Sequence, residues 1–139
     1  MAPKPAVGYS GRSLAAKLGI RQGMRVALLD APRNYRSLVE PLPPGVSLTS
    51  DAASSDVVHW FVRQRGVLEA RVAALAAGLR DAGALWISWP KRSSGRETDL
   101  DRDVLREIVL AHGLVDVKVC AFDDTWSCLK FVRRLRDRR

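Results

Sequence analysis

The segment Trp89-Pro90-Lys91-Arg92-Ser93-Ser94-Gly95-Arg96 places cations, two hydroxyls and a glycine shortly before an expected helix start. Such a set can hold a phosphate or carboxylate through charge, hydroxyl donors and free backbone N–H groups. It lacks the Gly-x-x-x-x-Gly-Lys-Ser/Thr spacing of a P-loop, and the same composition also describes a solvated polar loop. In an open α/β sheet, ligands gather beyond the carboxyl ends of parallel strands, near the point where strand order reverses. That rule collects Asp30, Asn34 and Tyr35 after a first strand, Arg63 and Gln64 after a third, and Ser88 to Ser94 after a fourth. The expected ligand-binding set is Lys91, Arg92, Ser93 and Ser94, joined by Asn34 and Tyr35, and the expected ligand is a small anion such as a nucleotide or phosphate.

Other polar residues have plainer readings. Asp123 and Asp124 would serve as a carboxylate pair for acid/base work or a divalent ion, but neighbouring residues in a turn point apart and Asp is a common turn former. Trp126 and Trp89 can stack on a planar ligand or pack over the sheet edge. His59, in mid-strand between Val58 and Trp60, reads as a hydrogen-bonded structural histidine, and His112 precedes the helix-ending Gly113, where it can meet the last carbonyls. Neither has a Ser or Cys partner visible in sequence, so a nucleophile–base pair would need tertiary contacts; no metal-ligand spacing occurs, and no cofactor is assigned. A hairpin turning near Asp124 and Thr125 pairs Cys120 with Leu129 and Ala121 with Cys128, which points the two thiols to opposite faces as reduced, partly buried groups.

These residues need a scaffold, and the chain supplies one. It has 139 residues, 47% of them hydrophobic and 27% charged, enough for about one domain with its own core. Residues 1–7 read as a flexible lead-in, 8–135 as the domain and 136–139 as a basic tail. Ser13 to Leu18 reads as a short helix closed by Gly19, Val26 to Leu29 as a buried strand, and Pro32 as the opening of a helix through Tyr35, Leu38 and Val39. A short strand runs from Val46 to Thr49, and Val57 to Val62, apolar on both faces, is a central parallel strand. Leu68, Val72, Leu75 and Leu79 mark a long helix over 65–80. Ala84 to Trp89 is the next strand, and Thr98 then reads as the N-cap of a helix carrying Leu100, Val104, Leu105, Ile108 and Val109. Val115 to Phe122 and Cys128 to Leu135 close the chain as an antiparallel hairpin. The fold class is α/β: a Rossmann-like three-layer sandwich of about six strands, mostly parallel, ending in that hairpin.

The formal net charge is +8, of which +5 belongs to the stretch from Lys130 to Arg139. Arg133, Arg134, Arg136, Arg138 and Arg139 would bind nucleic acid weakly through phosphates, or else blunt an edge strand and solubilise the end. No apolar run approaches the roughly 18 residues that span a bilayer, and residues 1–7 lack the apolar stretch of a signal peptide, so a cytoplasmic location is expected. The oligomeric state is open.

The second half resembles the C-terminal half of a class I S-adenosylmethionine-dependent methyltransferase. The resemblance lies in a strand over 56–62, a helix, Gly83-Ala84-Leu85-Trp86-Ile87-Ser88, a helix ending at His112-Gly113-Leu114-Val115-Asp116-Val117-Lys118-Val119, and a terminal hairpin. The whole chain resembles a bacterial domain family of unknown function through Gly8-Tyr9-Ser10-Gly11, Lys17-Leu18-Gly19-Ile20, Trp86-Ile87-Ser88-Trp89-Pro90-Lys91, Thr98-Asp99-Leu100 and Asp124-Thr125-Trp126-Ser127, which brings no activity with it. The methyltransferase likeness implies a glycine-rich loop after the first strand, where Leu29 is instead followed by Asp30-Ala31-Pro32-Arg33-Asn34-Tyr35. Asp51 is the residue that would meet a ribose hydroxyl in such an enzyme. Three functions stand open: an anion-binding Rossmann-like domain, a non-catalytic module contacting protein or nucleic acid, and a divergent methyltransferase.

Overall fold

The computed structural model describes residues 13–135. The lead-in over 1–7, the string Gly8-Tyr9-Ser10-Gly11 and tail residues Arg136, Arg138 and Arg139 lie outside the described residues. In chain order the elements are α1 (Leu14–Lys17), β1 (Arg25–Leu29), α2 (Tyr35–Val39), β2 (Ser47–Thr49), β3 (Val57–Phe61), α3 (Arg65–Gly78), β4 (Ala84–Pro90), a single 3₁₀ turn at Arg92–Ser94, α4 (Arg102–Leu110), β5 (Leu114–Ala121) and β6 (Trp126–Arg133). The six strands form one sheet in the order β2-β1-β3-β4-β6-β5. Pairings from β2 through β4 are parallel, while β6 runs antiparallel to both β4 and β5. This is the expected Rossmann-like α/β architecture with its C-terminal hairpin.

Side-chain alternation along each strand divides the core into two layers. Ala27, Leu29, Val58, Trp60, Leu85, Ile87, Leu129 and Phe131 face the helices α3 and α4, meeting Leu68, Val72, Leu105 and Val109. Val26, Val57, Phe61, Trp86, Trp126 and Cys128 face the other way, onto α1 and α2. Every residue of β3 and β4 is buried. A strand covered on both sides needs an uninterrupted apolar run, and the only polar side chains in these two are His59 and Ser88.

Those two polar groups are joined to a third. The Tyr35 hydroxyl lies 2.9 Å from His59 Nδ1, and His59 Nε2 lies 2.7 Å from Ser88 Oγ. With the imidazole proton on Nε2, Tyr35 donates to Nδ1 and Nε2–H donates to Ser88, so each ring nitrogen is satisfied. Around them Tyr35 stacks on Phe122 at 5.2 Å between centroids, and His59 stacks on Phe61 at 4.4 Å. Tyr35 is therefore a core residue, only 2% exposed. Its assignment to the ligand set is corrected, because its hydroxyl points into the sheet rather than toward the strand ends.

Two local expectations are also corrected. Helix α4 starts at Arg102 with Asp101 as its N-cap, the carboxylate accepting from the Val104 N–H at 2.9 Å. Thr98 does not cap it; its hydroxyl donates to the Arg63 carbonyl at 2.6 Å. In the hairpin, Cys120 pairs with Cys128 and Ala121 with Ser127. The Phe122 N–H bonds the Trp126 carbonyl, while Asp123 Oδ1 accepts from Thr125 and Trp126 N–H, so the turn tightens by one residue relative to the expected register. A one-residue slip reverses the face of a side chain, and both thiols consequently share a face.

Burial lowers the His59 pKa from 6.5 to about 3. The folded ring stays neutral where the unfolded ring takes a proton, so this contribution to stability is present above the unfolded value and is lost as pH falls from 6.5 toward 3. Urea unfolding is expected to show a loss of about 2 kcal/mol between about pH 7 and about pH 5, a range above the ordinary carboxylate pKa values. In His59→Gln that pH-dependent loss disappears, although the variant is less stable at neutral pH.

Candidate functional site

Strand order reverses between β1 and β3: the chain leaves β1 outward to β2 and then returns across β1 to build β3. The crevice beyond the carboxyl ends at this switch point is the place where such sheets hold ligands. Asp30, the residue after β1, has a φ of 56°, a left-handed conformation more usual for glycine and tolerated by Asp better than by most residues. Its carboxylate lies 3.4 Å from Arg71 of α3, whose guanidinium sits 5.6 Å above the Trp60 ring. The cleft here has a volume of about 420 Å³ and is lined by Asp30, Arg63, Gln64, Arg96 and Trp126, among others.

A second cleft, of about 670 Å³, opens beyond β4. Lys91, Arg92, Ser93, Arg96, Thr98 and Asp99 line it, so Arg96 borders both. The loop is built rather than loose. Ser94 Oγ donates to the Lys91 carbonyl at 2.6 Å and accepts from the Arg96 N–H, and Gly95 closes the 3₁₀ turn with a φ of 74°. At its far end, Thr98 binds the Arg63 carbonyl and Asp99 Oδ1 accepts from the Arg65 N–H at 2.7 Å. Asp99 thereby places a carboxylate at the N-terminus of α3, where the exposed N–H groups and helix dipole favour negative charge. The Lys91 N–H, for its part, bonds the Thr125 carbonyl at 2.7 Å, anchoring the loop to the hairpin turn.

The charge balance follows from these contacts. Arg63, Lys91, Arg92 and Arg96 form no ion pair among the described residues, whereas seven other arginines do. Of the acids around them, Asp99 and Asp101 line the same cleft and accept backbone N–H groups, while Glu97 shares a smaller cleft of about 290 Å³ with Arg63. A concave surface bearing cations without carboxylate partners attracts anions, and a low-dielectric wall such as Trp89 and Leu100 strengthens that attraction.

Of the six residues expected to bind ligand, Lys91, Arg92 and Ser93 line the second cleft together. Ser94 holds the turn beneath them. Asn34 sits at the start of α2 and is not among the residues lining either cleft, with its carbonyl accepting from Ser37 Oγ. Tyr35 lies in the core. Asp123 keeps its turn role, and Asp51 accepts from the Ala53 N–H in a turn of its own. Among the described residues no three His, Cys, Asp or Glu side chains converge as metal ligands.

Sequence reasoning did not find the Ser88 partner of His59, which lies 29 residues away on the adjacent strand. The pair has the spacing of a nucleophile and its base, yet both residues are fully buried and no substrate reaches them. Two tail arginines are also reassigned. Arg133 donates to the Ala76 and Leu79 carbonyls at the end of α3, and Arg134 donates to the Leu110 carbonyl at the end of α4 at 2.8 Å. Cations at helix C-termini satisfy orphan carbonyls and oppose the dipole, so these two guanidinium groups are structural and not presented to a polyanion. No helix of the described residues is long and apolar enough to cross a membrane.

No protein-family model matches the chain, and no curated protein matches it. Solved structures do. A putative methyltransferase from Thermoplasma acidophilum aligns with a TM-score of 0.54 at 10% identity over 84% of this chain and 70% of that one. Aeropyrum pernix fibrillarin with bound S-adenosyl-L-methionine aligns at 0.51 and 17% identity over 86% and 73%. A variant of the 16S rRNA (adenine(1408)-N(1))-methyltransferase from Catenulisporales acidiphilia aligns at 0.52 and 18% identity over 91% of each chain. The fold is that of these methyltransferases, in agreement with the resemblance of the second half, and it extends to the first half as well.

Because Asp99 joins the β4 loop to the start of α3, Asp99→Ala is expected to cost roughly 1 kcal/mol of stability, as loss of a helix cap does. Asp99→Asn should recover most of it. Chemical denaturation of the three proteins checks this, and equal stability of all three would show the contact to be idle.

Proposed function

We propose that this chain is a binding domain for a small phosphate-bearing ligand, held in the cleft beyond β4 by Lys91, Arg92, Ser93 and Arg96 with Arg63 at its border. The observation that carries the reading is the set of three cations, Lys91, Arg92 and Arg96, that line one cleft without an ion pair among the described residues, with Arg63 lining the adjoining cleft that shares Arg96. Phosphate fits such a set through point charges from Lys91 and planar donors from the arginines. The domain works as one unit over residues 8–135 in the cytoplasm. Membership of the bacterial family of unknown function is part of the same proposal and adds no chemistry to it.

A second reading has an observation of its own. Asp30 holds the backbone after β1 in the left-handed form, beside a cleft at the switch point, and fibrillarin of the same fold is described with bound S-adenosyl-L-methionine. A divergent methyltransferase would place that cofactor between Asp30 and Gln64. The module that contacts nucleic acid through its tail retains Arg136, Arg138 and Arg139 alone, since Arg133 and Arg134 hold helix ends.

Thermal melting with inorganic phosphate, ATP and S-adenosylmethionine separates the readings. A ligand at about 100 times its dissociation constant stabilises by about 2.7 kcal/mol. The first reading expects a shift with phosphate or ATP that Lys91→Ala and Arg96→Ala each reduce. A shift with S-adenosylmethionine alone, kept in Lys91→Ala and lost in Asp30→Ala, would establish the second instead. No shift with any of the three overturns both.

A further inference from the structure

The hairpin brings the chain's two cysteines face to face. Cys120 on β5 is the direct register partner of Cys128 on β6. The Phe122 N–H to Trp126 carbonyl bond lies two residues along the same ladder, so Cys120 and Cys128 also form a hydrogen-bonded pair of the antiparallel type. Cα atoms in such a pair are about 5.5 Å apart, within the roughly 4.4–6.8 Å that a disulfide spans. Both side chains point to the α1/α2 face, and the Cys120 thiol donates to the Ala121 carbonyl at 3.3 Å. Cys128 is fully buried, while Cys120 is partly open to solvent.

We propose that Cys120 and Cys128 are a redox pair that closes an intramolecular disulfide across the β5–β6 hairpin when the protein meets hydrogen peroxide. The environment assigns the order of events. The hydrogen bond from Cys128 and the charges of Lys17, Lys118 and Lys91 lower the Cys120 thiol to about 7 against the opposing effect of burial. The bond to Cys120 and burial raise Cys128. The Cys120 thiolate, as the exposed and ionised partner, attacks one peroxide oxygen; the O–O bond breaks, hydroxide leaves, and Cys120 becomes a sulfenic acid. The Cys128 sulfur then attacks the Cys120 sulfur, forming S–S as the S–O bond breaks, and its thiol proton leaves with the hydroxyl as water. Both thiols are oxidised by one electron each, and the peroxide is reduced to two waters. The resolving thiol is already in place, so the sulfenic acid needs no backbone movement to be captured.

The experiment uses the reduced full chain treated with hydrogen peroxide and read by intact mass and by thiol titration in denaturant. The expected result is a monomer about 2 Da lighter with no titratable thiol, both changes reversed by dithiothreitol, and a peptide map linking Cys120 to Cys128. Two thiols still present, a Cys120 that gains oxygen while Cys128 stays titratable, or a disulfide between chains would each overturn the proposal. Cys120→Ser, changed at the more accessible position, gives a second test. Its Cys128 thiol should resist peroxide in the folded protein, and oxidation of Cys128 at the rate seen in the parent would overturn the order of attack.

Discussion

His59 lies at the centre of the sheet with no solvent contact, and its two ring nitrogens join Tyr35 at the start of α2 to Ser88 on β4. A buried polar group left without a partner costs on the order of 1–3 kcal/mol, so this chain of contacts has to form completely or not at all. Its completion fixes where α2 packs, because Tyr35 is the residue that delivers the helix to the sheet. The stacking of Tyr35 on Phe122 and the edge contact of Phe61 with Trp126 then carry the constraint to the far hairpin. One neutral imidazole thus sets the relative placement of β3, β4, α2 and the hairpin turn, the parts that surround the carboxyl edge of the sheet.

At that edge the same logic works through backbone groups. Three segments distant in sequence meet there: the β3–α3 junction, the loop after β4 and the turn of the hairpin. Thr98 ties the loop to the first of these, Asp99 caps its helix, and the Lys91 N–H fastens the other end of the loop to Thr125. Each contact satisfies a backbone group that would otherwise face solvent or remain unpaired. A loop fastened at both ends presents Lys91, Arg92 and Arg96 from a defined position, beside an Asp99 carboxylate that is held at the start of α3.

The parts of this arrangement that could be read from sequence are those in which the signal is local. The apolar runs at Val57–Phe61 and Ala84–Trp89, broken only by His59 and Ser88, mark strands covered on both sides, and the spacing of Leu68, Val72, Leu75 and Leu79 marks α3. Lys91, Arg92 and Ser93 were legible because a loop after a parallel strand is placed by topology. What escaped reading depended on distance or on a single residue of register. Arg133 meets a carbonyl 57 residues away in sequence, and composition alone makes it indistinguishable from a solvated tail cation. Asp99 resembles a first-turn acid of α4 but caps a helix 34 residues earlier. Tyr35 follows a strand end, as a ligand contact would, yet nothing nearby reveals that a histidine waits for its hydroxyl. The cysteine register turned on whether the hairpin closed at Trp126 or one residue later.

Asp30 bears on how a ligand can approach this scaffold. Where the backbone itself must touch a bound nucleotide, glycine provides both the left-handed conformation and the missing Cβ. Here the first of these properties is present without the second: the chain turns with a φ of 56°, but a side chain stands at the turn and its carboxylate faces Arg71. The turn therefore keeps the path of the chain from β1 into α2 with a side chain where glycine would leave the main chain bare. At this edge the proposed recognition would come from side chains that reach outward, among them the β4-loop cations that line the cleft. The sheet order sets where a ligand would lie in the proposed function, whereas the residues after β1 and β4 set which chemistry would meet it.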